Sequence, residues 1–137
     1  EERTGRLRDV GLLVLRVGLG AMFLHHGWPK ISSGPEKWAQ IGMATANLGV
    51  TFAPAFWGLM AALSEFGGGL CLIAGFATRI AAFFMAGTMA VAATMHLSSG
   101  DGLSVASHAI EAGVVFLSLI LIGAGRFSLD ARIAGRR

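Results

Sequence analysis

Four apolar runs separated by short polar segments dominate this sequence and limit the folds that it can adopt. They extend from Val10 to Leu24, from Pro54 to Ala77, from Ile80 to Leu97 and from Leu103 to Gly125. A helix needs about 20 residues to cross the hydrocarbon core of a bilayer, and the runs lack the alternation of barrel strands. The sequence therefore predicts an all-α, four-transmembrane-helix bundle. The predicted helices cover about residues 7–27, 54–77, 79–98 and 103–125.

The composition agrees with a single membrane domain over residues 1–137. Hydrophobic residues make up 54% of the chain and charged residues 14%, whereas about 25% charged residues is usual in soluble domains. The net charge of +3 would favour nucleic acid as a partner of a soluble protein. Here the basic residues cluster towards the chain ends, where they suit anionic lipid and topology. We therefore expect the lipid bilayer, and no nucleic acid, as a partner. The single cysteine excludes an intrachain disulfide and a CxxC redox pair.

The one long connection covers residues 28–53. It begins near Pro29, where we expect the proline to end the first helix. Residues 35–48 predict a short helix, because Pro35 suits a first helical turn and Gly49 suits a helix stop. We expect this segment to lie in the headgroup region as an interfacial helix between helices 1 and 2. A plain loop is the alternative.

Arginine and lysine are distributed unequally between the two sides of such a bundle. The side of the chain ends carries Arg3, Arg6, Arg8, Arg79, Arg126, Arg132, Arg136 and Arg137. The opposite side carries Lys30 and Lys37. The positive-inside rule then predicts a multi-pass protein of the cytoplasmic (inner) membrane with both termini in the cytoplasm. The first apolar run lacks an A-x-A-like cleavage site, so we expect it to remain as a helix.

Three ionisable residues interrupt the apolar runs. A charge near the bilayer centre costs at least about 2.5–3.5 kcal/mol, so Arg16, Glu65 and Glu111 need partners. Counted from the expected outer ends of their helices, Arg16 and Glu65 both lie about 16 Å deep at about 1.5 Å per residue. This depth predicts an Arg16–Glu65 ion pair, with Glu111 as a competing or third partner. Such a cluster either fixes helix register or holds a ligand, and both interpretations remain open.

The fourth predicted helix carries a polar stripe. Ser104, His108, Glu111 and Ser118 share one helical face. Buried polar groups on an apolar helix need hydrogen-bond partners. We therefore predict a small-molecule site in the outer half of the bundle. Its ligand-binding residues would be Arg16, Glu65, His108 and Glu111.

Histidines near the outer helix ends raise the question of a metal. His26 and His96 lie near the outer ends of the first and third helices, and methionines precede both of them, a combination that suits copper. Ordinary interfacial histidines explain the same pattern. The single His-x-x-Glu at His108 does not match the repeated Glu-x-x-His of di-iron bundles. The sequence therefore predicts no metal or haem site, with His26 and His96 as the alternative.

Four short motifs, in chain order, resemble those of the DoxX family of small membrane proteins. Residues 26–30 (HGWPK) resemble the H-G-x-x-K motif that ends the first helix, and residues 65–68 (EFGG) resemble the E-x-G-G element of the second helix. Residues 75–79 (GFATR) resemble the G-x-x-T-R turn, and residues 125–130 (GRFSLD) resemble the closing G-R-[YF]-S-L-D. The resemblance extends over roughly residues 10–130.

The resemblance implies a compact four-helix membrane bundle and an association with redox physiology. The family takes its name from a subunit of a thiosulfate:quinone oxidoreductase, and some members are linked to oxidative-stress complexes. The implied function is a membrane subunit of a respiratory or redox-detoxifying complex that contributes a quinone or small-molecule site, with other redox subunits or a second copy as partners. The alternative is a non-enzymatic membrane scaffold or accessory subunit. The chain has no dinucleotide fingerprint, so we do not expect it to catalyse such a reaction alone.

Overall fold

The computed structural model describes residues 2–135, which fold into helices and connecting turns without any strand. Arg136 and Arg137, which the charge count includes, lie outside the described residues. The α-helices are α1 (Glu2–Ile31), α2 (Pro35–Gly42), α3 (Pro54–Ala74), α4 (Thr78–Ser98), α5 (Leu103–Ile122) and α6 (Leu129–Ala134). A 3₁₀ helix, Met43–Leu48, follows α2 directly.

Three of these helices, α3, α4 and α5, are long and apolar enough to cross a membrane. The expected all-helical fold is thus confirmed over the described residues. The remaining expected span, the first in chain order, corresponds to α1, which at 30 residues is the longest helix but is not among the three apolar candidates. It is less apolar than the other three because Arg16, two adjacent histidines and a basic first section interrupt it.

Helix α1 continues past the proline that was expected to end it. Pro29 lies inside the helix, which ends at Ile31 rather than at Gly27. Proline has a helical φ, so its only defects are a missing N–H and a clash with the preceding turn. The missing N–H leaves the carbonyl of His25 without its usual helical partner. Because this defect lies in the last two turns, the rest of the helix is unaffected.

Small residues bring α1 and α3 into close antiparallel contact. A Cβ atom on Gly20 would lie 2.7 Å from the carbonyl oxygen of Gly69, and one on Gly27 would lie 2.6 Å from the backbone nitrogen of Phe66. Only glycine allows the two backbones to approach so closely. These two contacts also fix the register, because Gly27 lies opposite Phe66 while Gly20 lies opposite Gly69 and Ile73.

The segment expected to be one interfacial helix over 35–48 consists of two short helices that fold back on α3. A Cβ atom on Gly42 would collide with the carbonyl oxygen of Pro54, and one on Gly58 would collide with that of Trp38. The indole Nε1 of Trp38 donates to the carbonyl oxygen of Lys30 at 2.9 Å. The segment therefore packs over the start of α3 and is tied to the end of α1.

The core lies among the four long helices. Its fully buried side chains include Leu72, Met85, Phe116 and Leu119. Helix α3 packs against both α1 and α4, and α4 packs against α5. Helices α5 and α1 meet through two ring pairs, Phe23–Phe116 and His26–His108, with centroids 5.0 and 5.9 Å apart. The four long helices thus form a closed bundle.

Candidate functional site

The first two motifs meet in an ion pair between α1 and α3. The Lys30 Nζ donates to both carboxylate oxygens of Glu65, at 2.7 Å to Oε1 and 2.8 Å to Oε2. The Glu65 side chain is 4% exposed and that of Lys30 is 35% exposed. The carboxylate therefore lies inside the bundle, and the ammonium group connects it with the surface near the end of α1.

This ion pair forms one wall of a cavity of about 190 Å³ between the four long helices. The other lining residues combine histidines with apolar side chains from α1, α4 and α5. The full lining is Phe23, His26, Lys30, Glu65, Met89, Ala92, His96, Val105, His108 and Ala109. A pocket with mostly apolar walls and a few convergent polar groups is the usual form of a small-molecule site.

Three imidazoles line the same cavity. The rings of His26 and His108 lie next to each other, with centroids 5.9 Å apart and planes tilted by 58°. The His96 ring is held by a hydrogen bond to the turn between α4 and α5, where its Nδ1 lies 2.8 Å from the Oδ2 of Asp101. An imidazole can donate from one ring nitrogen and accept on the other. The cavity thus offers hydrogen-bonding groups of both kinds beside a cation.

Both histidines of the alternative metal prediction, His26 and His96, line this cavity. Within residues 2–135, no group of three or more His, Cys, Asp or Glu side chains is arranged to hold a metal ion. The hydrogen bond of His96 to Asp101 and the contact of the His26 ring with His108 give each residue a different neighbour.

The predicted Arg16–Glu65 ion pair is wrong. Arg16 is fully buried, and its Nη1 and Nη2 donate to the carbonyl oxygens of Leu72 at 2.9 Å and Phe127 at 2.6 Å. The prediction assumed that Gly27 and Pro54 lie at the same level, whereas Gly27 lies opposite Phe66. This register sets Glu65 beside the last turn of α1, about 18 Å from Arg16 along the helix axis.

Arg16 belongs to a second motif pair at the opposite end of the bundle, which we call the C-terminal clasp (residues 75–79 and 125–130, with Arg16). The carboxylate of Asp130 accepts from the backbone nitrogens of Ala77 at 2.7 Å and Thr78 at 2.9 Å, at the start of α4. The backbone nitrogen of Asp130 donates to the carbonyl oxygen of Gly75 at 2.8 Å. A carboxylate at a helix N-terminus accepts hydrogen bonds from unpaired amide groups and interacts favourably with the positive end of the helix dipole.

Gly75 is required in the clasp for two reasons. It ends α3 in the left-handed conformation with φ +65°, which side chains other than glycine rarely adopt. A Cβ atom there would also collide with the Arg16 guanidinium and with Ser128. The clasp thus joins α1, the α3–α4 turn and the C-terminal segment around one buried arginine.

The fourth predicted ligand-binding residue, Glu111, lies elsewhere. It is exposed on α5 and is absent from the cavity lining. Within the described part of the chain it has neither a hydrogen bond nor an ion pair. Of the four predicted residues, the structure therefore brings Glu65 and His108 to one cavity and leaves Arg16 and Glu111 outside it.

Sequence reasoning missed Lys30 as the partner of Glu65. The signal was present, because each of the first two motifs contains one charged residue of opposite sign, Lys30 and Glu65. The assumption that Pro29 ends the first helix placed Lys30 in a loop and removed it from consideration. Phe23 and Met89 were also missed as cavity-lining residues, since an apolar side chain on an apolar helix gives no distinguishing pattern.

Comparison with known proteins identifies the family of this chain. The family model described as DoxX matches residues 11–97. The inner membrane protein YqjF of Escherichia coli (strain K12) is 34% identical over 132 residues, which cover 91% of this chain and 93% of that protein. No solved structure matches the chain. The family match over more than half of the chain, together with this similarity, shows that the protein belongs to the DoxX family.

Proposed function

We propose that the protein is a multi-pass inner-membrane protein with four spanning helices and both termini in the cytoplasm. The three apolar helices and the description of its Escherichia coli relative as an inner membrane protein support this placement. Helix α1 acts as the fourth span, because it packs along the length of α3 and, at 30 residues, is about 45 Å long. The excess of arginine at the clasp end supports the orientation.

We further propose that the cavity binds the headgroup of a quinone or a similar small carbonyl compound. The observation that carries this proposal is the placement of Lys30 and two imidazoles, His26 and His108, around a mainly apolar space. A quinone ring needs apolar walls and a hydrogen-bond donor for each carbonyl oxygen. The lysine ammonium and an imidazole N–H supply such donors, while Phe23 and Met89 contact the ring faces.

In this proposal the chain binds and orients the carrier and does not oxidise or reduce it alone. Glu65 holds the Lys30 ammonium at the cavity wall, and the burial of Glu65 keeps the ion pair from being fully solvated. Electrons would come from a partner subunit of a respiratory or redox-detoxifying complex. The protein would thus be the quinone-holding membrane subunit of an oxidoreductase.

A non-enzymatic scaffold is the second candidate, and the motif pairs favour it specifically. The Lys30–Glu65 pair and the C-terminal clasp each join separate helices at one end of the bundle. Their hydrogen bonds are made within the chain and need no ligand. Purification in mild detergent distinguishes the two candidates, since a redox subunit should bring quinone and redox enzymes with it and a scaffold should bring a non-redox assembly.

Photoaffinity labelling with an azido-quinone in nanodiscs tests the site directly. We expect labelling of the wild-type protein to be competed by unlabelled quinone and to fall about tenfold in His108→Ala and in Lys30→Met, because a hydrogen bond to a bound ligand contributes about 1–2 kcal/mol. Glu111→Gln is the matched control, since Glu111 lies on the same helix as His108 but outside the cavity. Equal labelling of all folded variants would exclude the cavity as the quinone site.

A further inference from the structure

The clasp end of the bundle contains a groove that the proposed function does not use. It has a volume of about 500 Å³ and lies between the start of α4, the end of α5 and the segment leading into α6. Its lining residues are Ala77, Thr78, Arg79, Ile80, Ile122, Gly123, Ala124, Gly125, Ser128, Asp130 and Ala131. The groove therefore lies at the opposite end of the bundle from the histidine-lined cavity.

Arg79 supplies the positive charge of this groove. Its side chain is exposed, and it makes one long hydrogen bond, from Nη2 to the carbonyl oxygen of Leu121 at 3.3 Å. Gly123, whose φ of +79° favours glycine, lies beside the guanidinium, since a Cβ atom there would lie 3.4 Å from Arg79 Nε. A guanidinium has five N–H donors in a planar fork that matches phosphate oxygens. Arg79 lines the groove, and among residues 2–135 its guanidinium makes no hydrogen bond other than the one to Leu121.

Two other polar groups of the groove affect the binding of an anion. Asp130 is negatively charged, but both of its carboxylate oxygens accept from the backbone nitrogens that begin α4. The positive end of the helix dipole partly compensates the charge of this carboxylate. The Thr78 hydroxyl is buried and has no hydrogen-bond partner in the described structure. Because this hydroxyl gives up no hydrogen bond when the side chain rotates, turning it towards the groove would let a bound oxyanion satisfy the orphaned donor.

The apolar walls of the groove indicate which anion fits. Ile80 and Ile122 are 64% and 54% exposed, and they lie on the two helices next to the charged part of the groove. In a membrane, exposed isoleucines contact acyl chains, and an arginine near a helix end contacts headgroups. A free phosphate ion would use the arginine and leave these isoleucines uncovered.

We propose that this groove binds an anionic phospholipid, with its phosphate on Arg79 and Thr78 and its acyl chains along Ile80 and Ile122. The inference rests on the proposed membrane placement but not on quinone binding. A protein that bound no quinone could still bind this lipid, and a failure here would leave the cavity proposal intact. Charge complementarity with Arg79 selects an anionic lipid over a zwitterionic one.

Titration of the delipidated full chain in detergent with dioctanoyl phosphatidylglycerol, followed by native mass spectrometry, measures this binding. We expect Arg79→Gln to weaken it about tenfold, because a charge-assisted bidentate contact is lost. Arg132→Gln is the matched control, since Arg132 is an exposed arginine of α6 that does not line the groove. The same affinity in Arg79→Gln and Arg132→Gln would overturn the proposal.

A second variant and two further ligands complete the experiment. Thr78→Val keeps the shape of the side chain and the Arg79–Leu121 hydrogen bond, and we expect it to weaken lipid binding roughly threefold while thermal stability is retained. Inorganic phosphate and dioctanoyl phosphatidylcholine should each bind at least about tenfold more weakly than the anionic lipid. Inorganic phosphate lacks the acyl chains, and the choline cation of phosphatidylcholine neutralises the lipid and is repelled by Arg79. Inorganic phosphate that binds as tightly as the lipid, or a Thr78→Val variant with unchanged affinity for the lipid, would overturn the assignment.

Discussion

Lys30 and Glu65 form a two-pronged ion pair that joins the end of α1 to the middle of α3, with N–O distances of 2.7 and 2.8 Å. The two residues are the charged members of the first two family motifs. The Glu65 side chain is 4% exposed and that of Lys30 is 35% exposed. The carboxylate is therefore shielded from water, whereas the lysine is partly solvated. Removing the lysine should therefore have a different effect from removing both partners.

Lys30→Met is expected to destabilise the protein by about 2 kcal/mol, because it leaves the buried Glu65 carboxylate unpaired. This loss of stability is smaller than the loss expected for a fully buried pair, because solvent reaches Lys30. The double variant Lys30→Met/Glu65→Leu should recover part of the loss, as in other pairs tested by double-mutant cycles. Thermal unfolding in detergent measures these effects, with Lys37→Met, an exposed lysine of α2, as the control. Additive losses in the double variant would contradict the pairing.

The glycines of α1 provide a test of the close α1–α3 contact. Gly27→Ala is expected to destabilise the bundle by about 1–3 kcal/mol, because the new Cβ atom would press on the backbone of Phe66. Gly18→Ala is the matched control on the same helix, since a Cβ atom there meets nothing within 4 Å. Alanine favours helices over glycine, so the control should be neutral or slightly more stable. Similar melting temperatures for the two variants would disprove the close contact.

Arg16→Met should lower stability by about 3 kcal/mol, because it removes two charge-assisted hydrogen bonds to the carbonyl oxygens of Leu72 and Phe127. The stability of Arg16→Lys should lie between those of the wild type and of Arg16→Met, since an ammonium group lacks the planar fork that reaches both Leu72 and Phe127. Limited proteolysis provides a local measurement, as the segment after Gly125 should become accessible in Arg16→Met. Arg8→Met, in the exposed first part of α1, should leave the cleavage pattern unchanged. Equal protection of all three variants would show that Arg16 does not hold the clasp.

Cysteine labelling checks the proposed orientation. In a Cys71→Ala background, single cysteines placed at Lys37 and Asp101 should react with an impermeant reagent in intact cells, and one at Arg132 should not. The physical reason is the excess of arginine on the clasp side, which the positive-inside rule places in the cytoplasm. Permeabilised cells provide the control, because all three sites should then react. The reverse pattern in intact cells would show that the termini lie outside the cytoplasm.

The apolar runs predicted the long helices well because an apolar run of about 20 residues has few other stable forms in a membrane. Contacts between helices were harder to predict. The outer ends of the first two long helices were assumed to lie at the same level, whereas Gly27 lies opposite Phe66. This assumption moved the expected partner of Glu65 from Lys30 to Arg16. Glu65 and His108 were nevertheless expected at one site, since polar groups on apolar helices converge. Asp130 was not recognised as the cap of α4, because a cap supplied from 52 residues away leaves no local pattern.

The hydrogen bond between Arg16 and Phe127 has a consequence for the biogenesis of this protein. The two residues are separated by 111 positions, so the ribosome completes every long helix before the second acceptor of the guanidinium exists. Until then the guanidinium has only the Leu72 carbonyl oxygen on α3 as an acceptor, and its Nη2 must remain solvated or bind lipid phosphate. A nascent chain stalled before Phe127 would still pack α1 against α3 through Gly20 and Gly27, but the clasp around Arg16 would be incomplete.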